Sequence, residues 1–245
     1  MRIHLTVVAL LVALSATSWA QPVRPACRPQ EGPDACRTRC EGGSQQSCAV
    51  LGIMHLRGEV GDKPDYAEAE RLLRRACSAK VALGCGGMGS LYGAIRKDVK
   101  RARRMFERAC AMGDALSCES LGGLTLGVDR KSRRRPSPAD LRKAYGYYRR
   151  ACNLGSGTAC GFAAALIVDG GARGTAKEAF EMFVKACNGG MNVGCRQAVD
   201  LLNRDTPESR KLAAGFDASR LSSDLLTQGC KLGDAVACSR LNGSR

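Results

Sequence analysis

Fourteen cysteines are the side chains of this 245-residue sequence with the most chemistry to offer. A thiolate can attack, two thiols can close a disulfide, and a cluster of thiolates can hold zinc. Spacing decides among these uses. Six pairs leave seven residues between their members: Cys40 and Cys48, Cys77 and Cys85, Cys110 and Cys118, Cys152 and Cys160, Cys187 and Cys195, Cys230 and Cys238. That gap is wider than usual zinc-ligand pairs, so no metal site is expected. The redox motif Cys-x-x-Cys is missing, since three residues separate Cys36 from Cys40. Oxidised cysteines leave no nucleophile, and disulfides are the expected use.

The other residue types that drive catalysis form no recognisable set. No serine has lysine three positions on, and no Lys-Thr-Gly occurs, so the serine β-lactamase constellation is absent. Gly-x-Ser-x-Gly, His-Glu-x-x-His and phosphate-binding glycine loops are absent too. Beyond residue 20 there is one histidine, His55, at the place that Tyr92 holds in the next unit. We read it as a helix-surface residue, with a general base as the outside alternative. No catalytic residue and no cofactor are expected.

The cysteine pairs also set the organisation. Their first members lie 37, 33, 42, 35 and 43 residues apart, a period that marks an array of helical hairpins. Alanine precedes the first cysteine at Ala76, Ala109, Ala151 and Ala186, and glycine follows three residues later at Gly43, Gly113, Gly155, Gly190 and Gly233. A small residue stands four after the second cysteine at Gly52, Gly89, Gly122 and Ala164. Upstream of each pair runs an amphipathic segment such as 67–77, apolar at three- and four-residue steps. The glycine supplies a left-handed helix end, and Ser44, Asp114, Ser156 and Asp234 can cap the next helix. Each pair therefore straddles a helix turn, where facing residues can be bridged. Helix A follows the second cysteine, and helix B ends at the next pair. Ser137-Pro138-Ala139-Asp140 and Thr175-Ala176-Lys177-Glu178 carry helix B start signals. The A–B connections vary, with a basic insertion at 129–136 and a loop from Arg204 to about Ser219.

The ends differ from the repeats. Residues 1–20 read as a signal peptide: Arg2, an apolar run from Leu5 to Leu14, then Ser18-Trp19-Ala20 ahead of Gln21. The run is too short to span a bilayer, and no later run approaches that length. The expected location is outside the cytoplasm, periplasmic or secreted. Residues 21–39 form an N-terminal cap holding Cys27 and Cys36, and 40–245 the array of about five and a half repeats. A seventh disulfide, Cys27–Cys36, is expected, with Cys36–Cys40 exchange as its competitor. The net charge of +15 favours anionic partners, and aromatics at 4% argue against a large aromatic core. Arg130, Lys131, Arg133, Arg134 and Arg135 are the local candidates for a partner contact, together with His55 and Tyr92. The run lacks the interleaved aromatics that nucleic-acid stacking needs, so no specific nucleic acid is expected.

The unit Ala-Cys-x-x-Gly-x-x-x-(Ala/Gly/Ser)-Cys-x-x-Leu-Gly, clearest at 109–122, resembles the cysteine-rich branch of the Sel-like repeat family, of the Helicobacter cysteine-rich protein type. The likeness runs over roughly residues 37–243. It implies an all-α, right-handed solenoid of αα hairpins, TPR-like, with one disulfide per repeat and A helices lining a concave face. Departures are Lys80 in place of the turn glycine, Val199 and Asn242 in place of the small residue, and Ala163-Ala164 and Ala198-Val199 in place of Leu-Gly. They leave the packing of the fourth and fifth units open. The resemblance implies a non-catalytic scaffold for protein, peptide or anionic cell-envelope polymer. Its alternative is a protein that binds or slowly hydrolyses β-lactams.

Overall fold

A computed structural model describes residues 26–127, 135–215 and 217–243, which fold into thirteen α-helices and no strand. The segment 1–20 that reads as a signal peptide lies outside the described residues, as do Arg130, Lys131, Arg133 and Arg134 of the basic run. A cap helix α1 (Gly32–Glu41) comes first. Five hairpins follow, each an A helix and a B helix: α2 (Gln45–Arg57) with α3 (Tyr66–Ser78), α4 (Ala82–Ser90) with α5 (Val99–Ala111), α6 (Ala115–Leu126) with α7 (Pro138–Asn153) and α8 (Gly157–Val168) with α9 (Ala176–Asn188). The fifth pairs α10 (Asn192–Leu202) with α12 (Ala218–Lys231) around a short α11 (Pro207–Ala213), and α13 (Ala235–Gly243) closes the array as a lone A helix. The segment expected to be loop between Arg204 and Ser219 thus contains a helix. Thr206 caps it through the Ser209 N–H at 3.1 Å, and Pro207 opens it. No described helix is long and apolar enough to cross a membrane.

Each B–A turn is one local device. In the third, the Gly113 N–H donates to the Cys110 carbonyl and the Asp114 N–H to the Ala109 carbonyl, both at 3.0 Å. This is the double bond of a Schellman ending, and it needs a left-handed residue at the glycine. Gly43, Gly113, Gly155, Gly190 and Gly233 have φ between 86° and 97°. Lys80 takes the same place at φ 62°. Ser44, Asp114, Ser156 and Asp234 then cap the next helix by accepting N–H groups two or three residues on. The same backbone bonds form in the second and fifth turns, although Val81 and Met191 offer no side-chain cap.

The disulfides lock these turns. All fourteen cysteines are paired, and none is free. In the cap Cys27 is bonded to Cys36, so the competing Cys36–Cys40 bridge does not form. The turns hold Cys40 bonded to Cys48, Cys77 to Cys85, Cys110 to Cys118, Cys152 to Cys160, Cys187 to Cys195 and Cys230 to Cys238. These turn cysteines bring Cα atoms within 4.6–4.8 Å, closer than two helices with ordinary side chains approach. Cys48, Cys85, Cys160 and Cys195, on the incoming A helices, are all buried with their bridges. Small neighbours permit the close approach. A Cβ on Gly84 would lie 2.7 Å from that of Ala76, and one on Gly194 2.8 Å from that of Ala186. In these two turns both residues before the cysteines must therefore be small.

One turn further from the bridge the sizes become unequal. Helix A offers a glycine, and helix B fills it with the residue four before its cysteine. A Cβ on Gly52 would meet Leu73 at 2.8 Å, one on Gly89 would meet Phe106 at 2.5 Å, and one on Gly122 would meet Tyr148 at 2.5 Å. Ala164 and Val199 take this position in the drifted units, and both are buried in one core with Phe183 and Leu226. Asn242, at this position of α13, is exposed.

Repeats are joined on both sides. Across the A side, the Ser156 hydroxyl donates to Glu119 at 2.7 Å, and Arg196 holds the capping Asp234 at 3.1 Å. Across the B side, the residue two before the first cysteine reaches the end of the preceding B helix in three units. Arg108 donates to the Cys77 carbonyl at 2.9 Å, Arg150 to the Ala111 carbonyl at 3.2 Å, and Gln228 to the Asn188 side chain at 3.3 Å. A cation at a helix C-terminus satisfies unpaired carbonyls and the negative end of the dipole.

Candidate partner-binding surfaces

The A helices leave a trough where α2, α4 and α6 lie side by side. Its cavity is about 170 Å³, lined by Ile53 and Leu56 of α2, Leu83, Gly86 and Gly87 of α4, and Leu116 of α6. Packing dictates its shape. A side chain at Gly87 would strike Leu73 at 2.5 Å, and one at Gly86 would strike Ser117 and Asp114 at 2.8 and 3.0 Å. The floor is therefore bare backbone. Leu116, in the first turn of α6, is 69% exposed and the most exposed large apolar side chain described. A bare floor with an aliphatic rim suits side chains of another polypeptide.

The B side is different in character. Between α3 and α5 runs a cleft of about 270 Å³, with Met88 and Tyr92 at its base and Arg74, Arg101, Arg104 and Arg108 along its walls. Tyr92 sits in a π turn, Leu91–Ile95, that prolongs α4. Its hydroxyl donates to Glu70 at 3.2 Å, and the Arg101 guanidinium lies 5.6 Å from the ring centre. Glu70 also pairs with Arg74 and, at 3.4 Å, with Arg96.

His55 and Tyr92, at matching positions of consecutive units, do not share a site. The His55 carbonyl accepts the N–H groups of Gly58 and Asp65 at 3.2 and 3.1 Å, closing the first A–B connection. Its Nδ1 is buried and finds no hydrogen-bond partner among the described residues. Beside it, the Glu68 carboxyl is held below the ordinary value chiefly by the Arg71 hydrogen bond, against burial, with a smaller pull from His55. Arg135 is exposed just ahead of α7. Tyr148 belongs to the core, and burial pushes its hydroxyl up to about 12, with Glu119 adding to the rise. Tyr145 donates to Glu178 at 2.9 Å.

Neither the trough nor the wall formed by Arg101, Arg104 and Arg108 was among the residues singled out from sequence. The arginines carried a signal in their spacing of three and four, which places them on one helix face. The trough carried less, only the doublet Gly86-Gly87 inside an apolar stretch.

The Sel1 repeat matches this chain at residues 45–81, 82–114, 133–156 and 176–191. The chain carries four Sel1 repeats. Its seven disulfides fit the cysteine-rich branch of that family. Among solved structures it is similar to a Sel1 repeat protein from Oxalobacter formigenes, at 17% identity and a TM-score of 0.64, over 88% of this chain and 86% of the other. It is also similar to an immunity protein from Pseudomonas aeruginosa, at 17% identity and a TM-score of 0.53, over 88% of this chain and 78% of the other. At such identities the likeness is one of fold. No curated protein sequence matches the chain. The matched Sel1 units place the trough and the B-side cleft in the first three hairpins.

Proposed function

We propose that this Sel1 array is an exported, non-catalytic scaffold that binds a protein or peptide in the trough of α2, α4 and α6. The observation that carries the reading is Leu116, 69% exposed beside a floor of glycine backbone. Exposed leucine costs free energy unless a partner covers it, roughly 25 cal/mol for each Å² of apolar surface. Seven disulfides support an oxidising compartment, which accords with the leader at residues 1–20. The basic residues Arg130 to Arg135 are a second candidate contact in this reading, and an anionic cell-envelope polymer is the second class of partner they would admit.

The test is a photo-crosslinking residue at position 116, compared with one at Arg220 on α12, in cells that produce the protein. A discrete adduct at 116 alone is expected, and Leu116→Asp should abolish partner retention without altering the thermal melt. Equal adducts at both positions would remove the trough from the argument. Turnover of a chromogenic cephalosporin above a reduced and alkylated control would replace binding with catalysis.

A further inference from the structure

We propose that the cleft between α3 and α5 is a second binding site, one that takes an acidic peptide segment with an apolar side chain between its carboxylates. It lies on the B side, apart from the trough, and does not depend on it. Four features of the cleft point to this ligand. First, its wall is a built stripe. Arg101, Arg104 and Arg108 lie at steps of three and four along α5, and Arg74 faces them from α3. Second, two of these guanidiniums are held in place before any ligand arrives. Arg108 is anchored on the Cys77 carbonyl at 2.9 Å, and Arg101 lies between Asp98 at 3.2 Å and the Tyr92 ring. A guanidinium offers five N–H donors, so such anchoring leaves others directed at the cleft. Third, Arg104 is exposed and has no partner among the described residues.

The fourth feature is the base. Met88 is buried, Met105 is half-buried, and Tyr92 is placed there by the π turn. Such turns widen a helix end and recur at functional sites. An apolar base under basic walls matches carboxylates on either side of one apolar side chain. Guanidinium forks bind carboxylates bidentately, which gives the contact direction as well as charge. A nucleic acid fits poorly, because a single aromatic ring offers no run of stacking platforms. A neighbouring hollow that shares Arg74 and Ser78 holds Arg71, Arg75 and Arg96 but also Glu70, which pairs with Arg74 and Arg96, so the acidic segment is confined to the α3–α5 cleft.

The experiment is fluorescence anisotropy on the full oxidised chain. The probe is a short labelled peptide of alternating Glu and Leu. Its Lys-for-Glu counterpart and an oligothymidylate serve as controls. Binding of the acidic peptide alone is expected, with affinity that falls as salt is raised. Arg104→Glu should weaken it about tenfold, whereas Arg220→Glu, the same charge change on α12, should leave it within about twofold. Arg104 is exposed, and an unchanged melt confirms that the variant folds. Equal losses for the two variants would reduce the effect to net charge and overturn the proposal. So would oligothymidylate binding as tight as the peptide, or no peptide binding at all. Leu116→Asp should not alter peptide binding, so failure here leaves the trough reading standing, and failure there leaves this one.

Discussion

Lys80 sits where five other turns place glycine, and its φ of 62° brings Cβ against the following carbonyl. For a residue with a side chain that conformation costs about 1 kcal/mol. Lys80→Gly is expected to stabilise the protein by about 0.5–1 kcal/mol, seen as a higher urea midpoint at an unchanged slope. Gly113→Ala, at φ 90°, should lose at least as much. A Lys80→Gly midpoint no higher than that of the parent would show that the turn relaxes around the lysine at no cost. The turn was legible residue by residue because its parts are local: cysteine, glycine and cap fall within five positions of one another. The filling of the glycine notches was not. Gly52, Gly89 and Gly122 could be read as small, but Leu73, Phe106 and Tyr148 enter them from another helix, and only the pairing of helices shows it.

At the scale of the element, repeats are coupled by side chains at helix ends, and these links respond to pH. Asp234 is buried, which alone would raise its carboxyl. The Ala237 N–H, the Arg196 guanidinium and the Val236 N–H pull it further down, so it lies below the ordinary aspartate value. A carboxyl lowered on folding contributes stability that is fully present above its unfolded pKa and is lost as pH falls through the folded one. Asp234→Asn keeps a capping oxygen but removes the charge that faces Arg196 and the start of α13, and is expected to lower neutral-pH stability by about 0.5–1 kcal/mol. It should also flatten the acid limb of a stability–pH curve. Glu31 and Glu68, held low by Arg39 and Arg71, share that limb, so the difference between variant and parent is the quantity to measure. Parallel curves would mean that Asp234 titrates alike folded and unfolded. The helices and their order are legible in periodicity and caps, except for α11, whose cue Thr206-Pro207 lies in a segment too short and too polar to show a helical period. The trough and cleft are not, because each is made by faces of three helices, and a helix's own sequence names its polar face without naming the neighbour across from it. Arg101, Arg104 and Arg108 show the point: their spacing gives one wall, and only the fold supplies Arg74 and Tyr92.

The whole molecule is a line of hairpins in which each contacts its neighbours, so stability should behave as a sum of units and junctions instead of as one core. Disulfides test this, because each closes a loop within one turn and acts on one unit. Closing nine residues contributes about 2.5 kcal/mol in the chain-entropy view. Position then decides what its loss does. Cys110→Ala with Cys118→Ala weakens the turn between α5 and α6, with two hairpins ahead of it and three behind. Urea unfolding of that variant is expected to split into two steps, with hydrogen exchange fastest around 109–122. Cys230→Ala with Cys238→Ala should release only α13 and the end of α12, leaving the main transition near its original midpoint. If both variants instead showed one transition, lowered equally, the array would fold as a single cooperative body. Its trough and cleft would then be rigidly coupled, so that a ligand in one would stabilise the other by mass action on the common folded state.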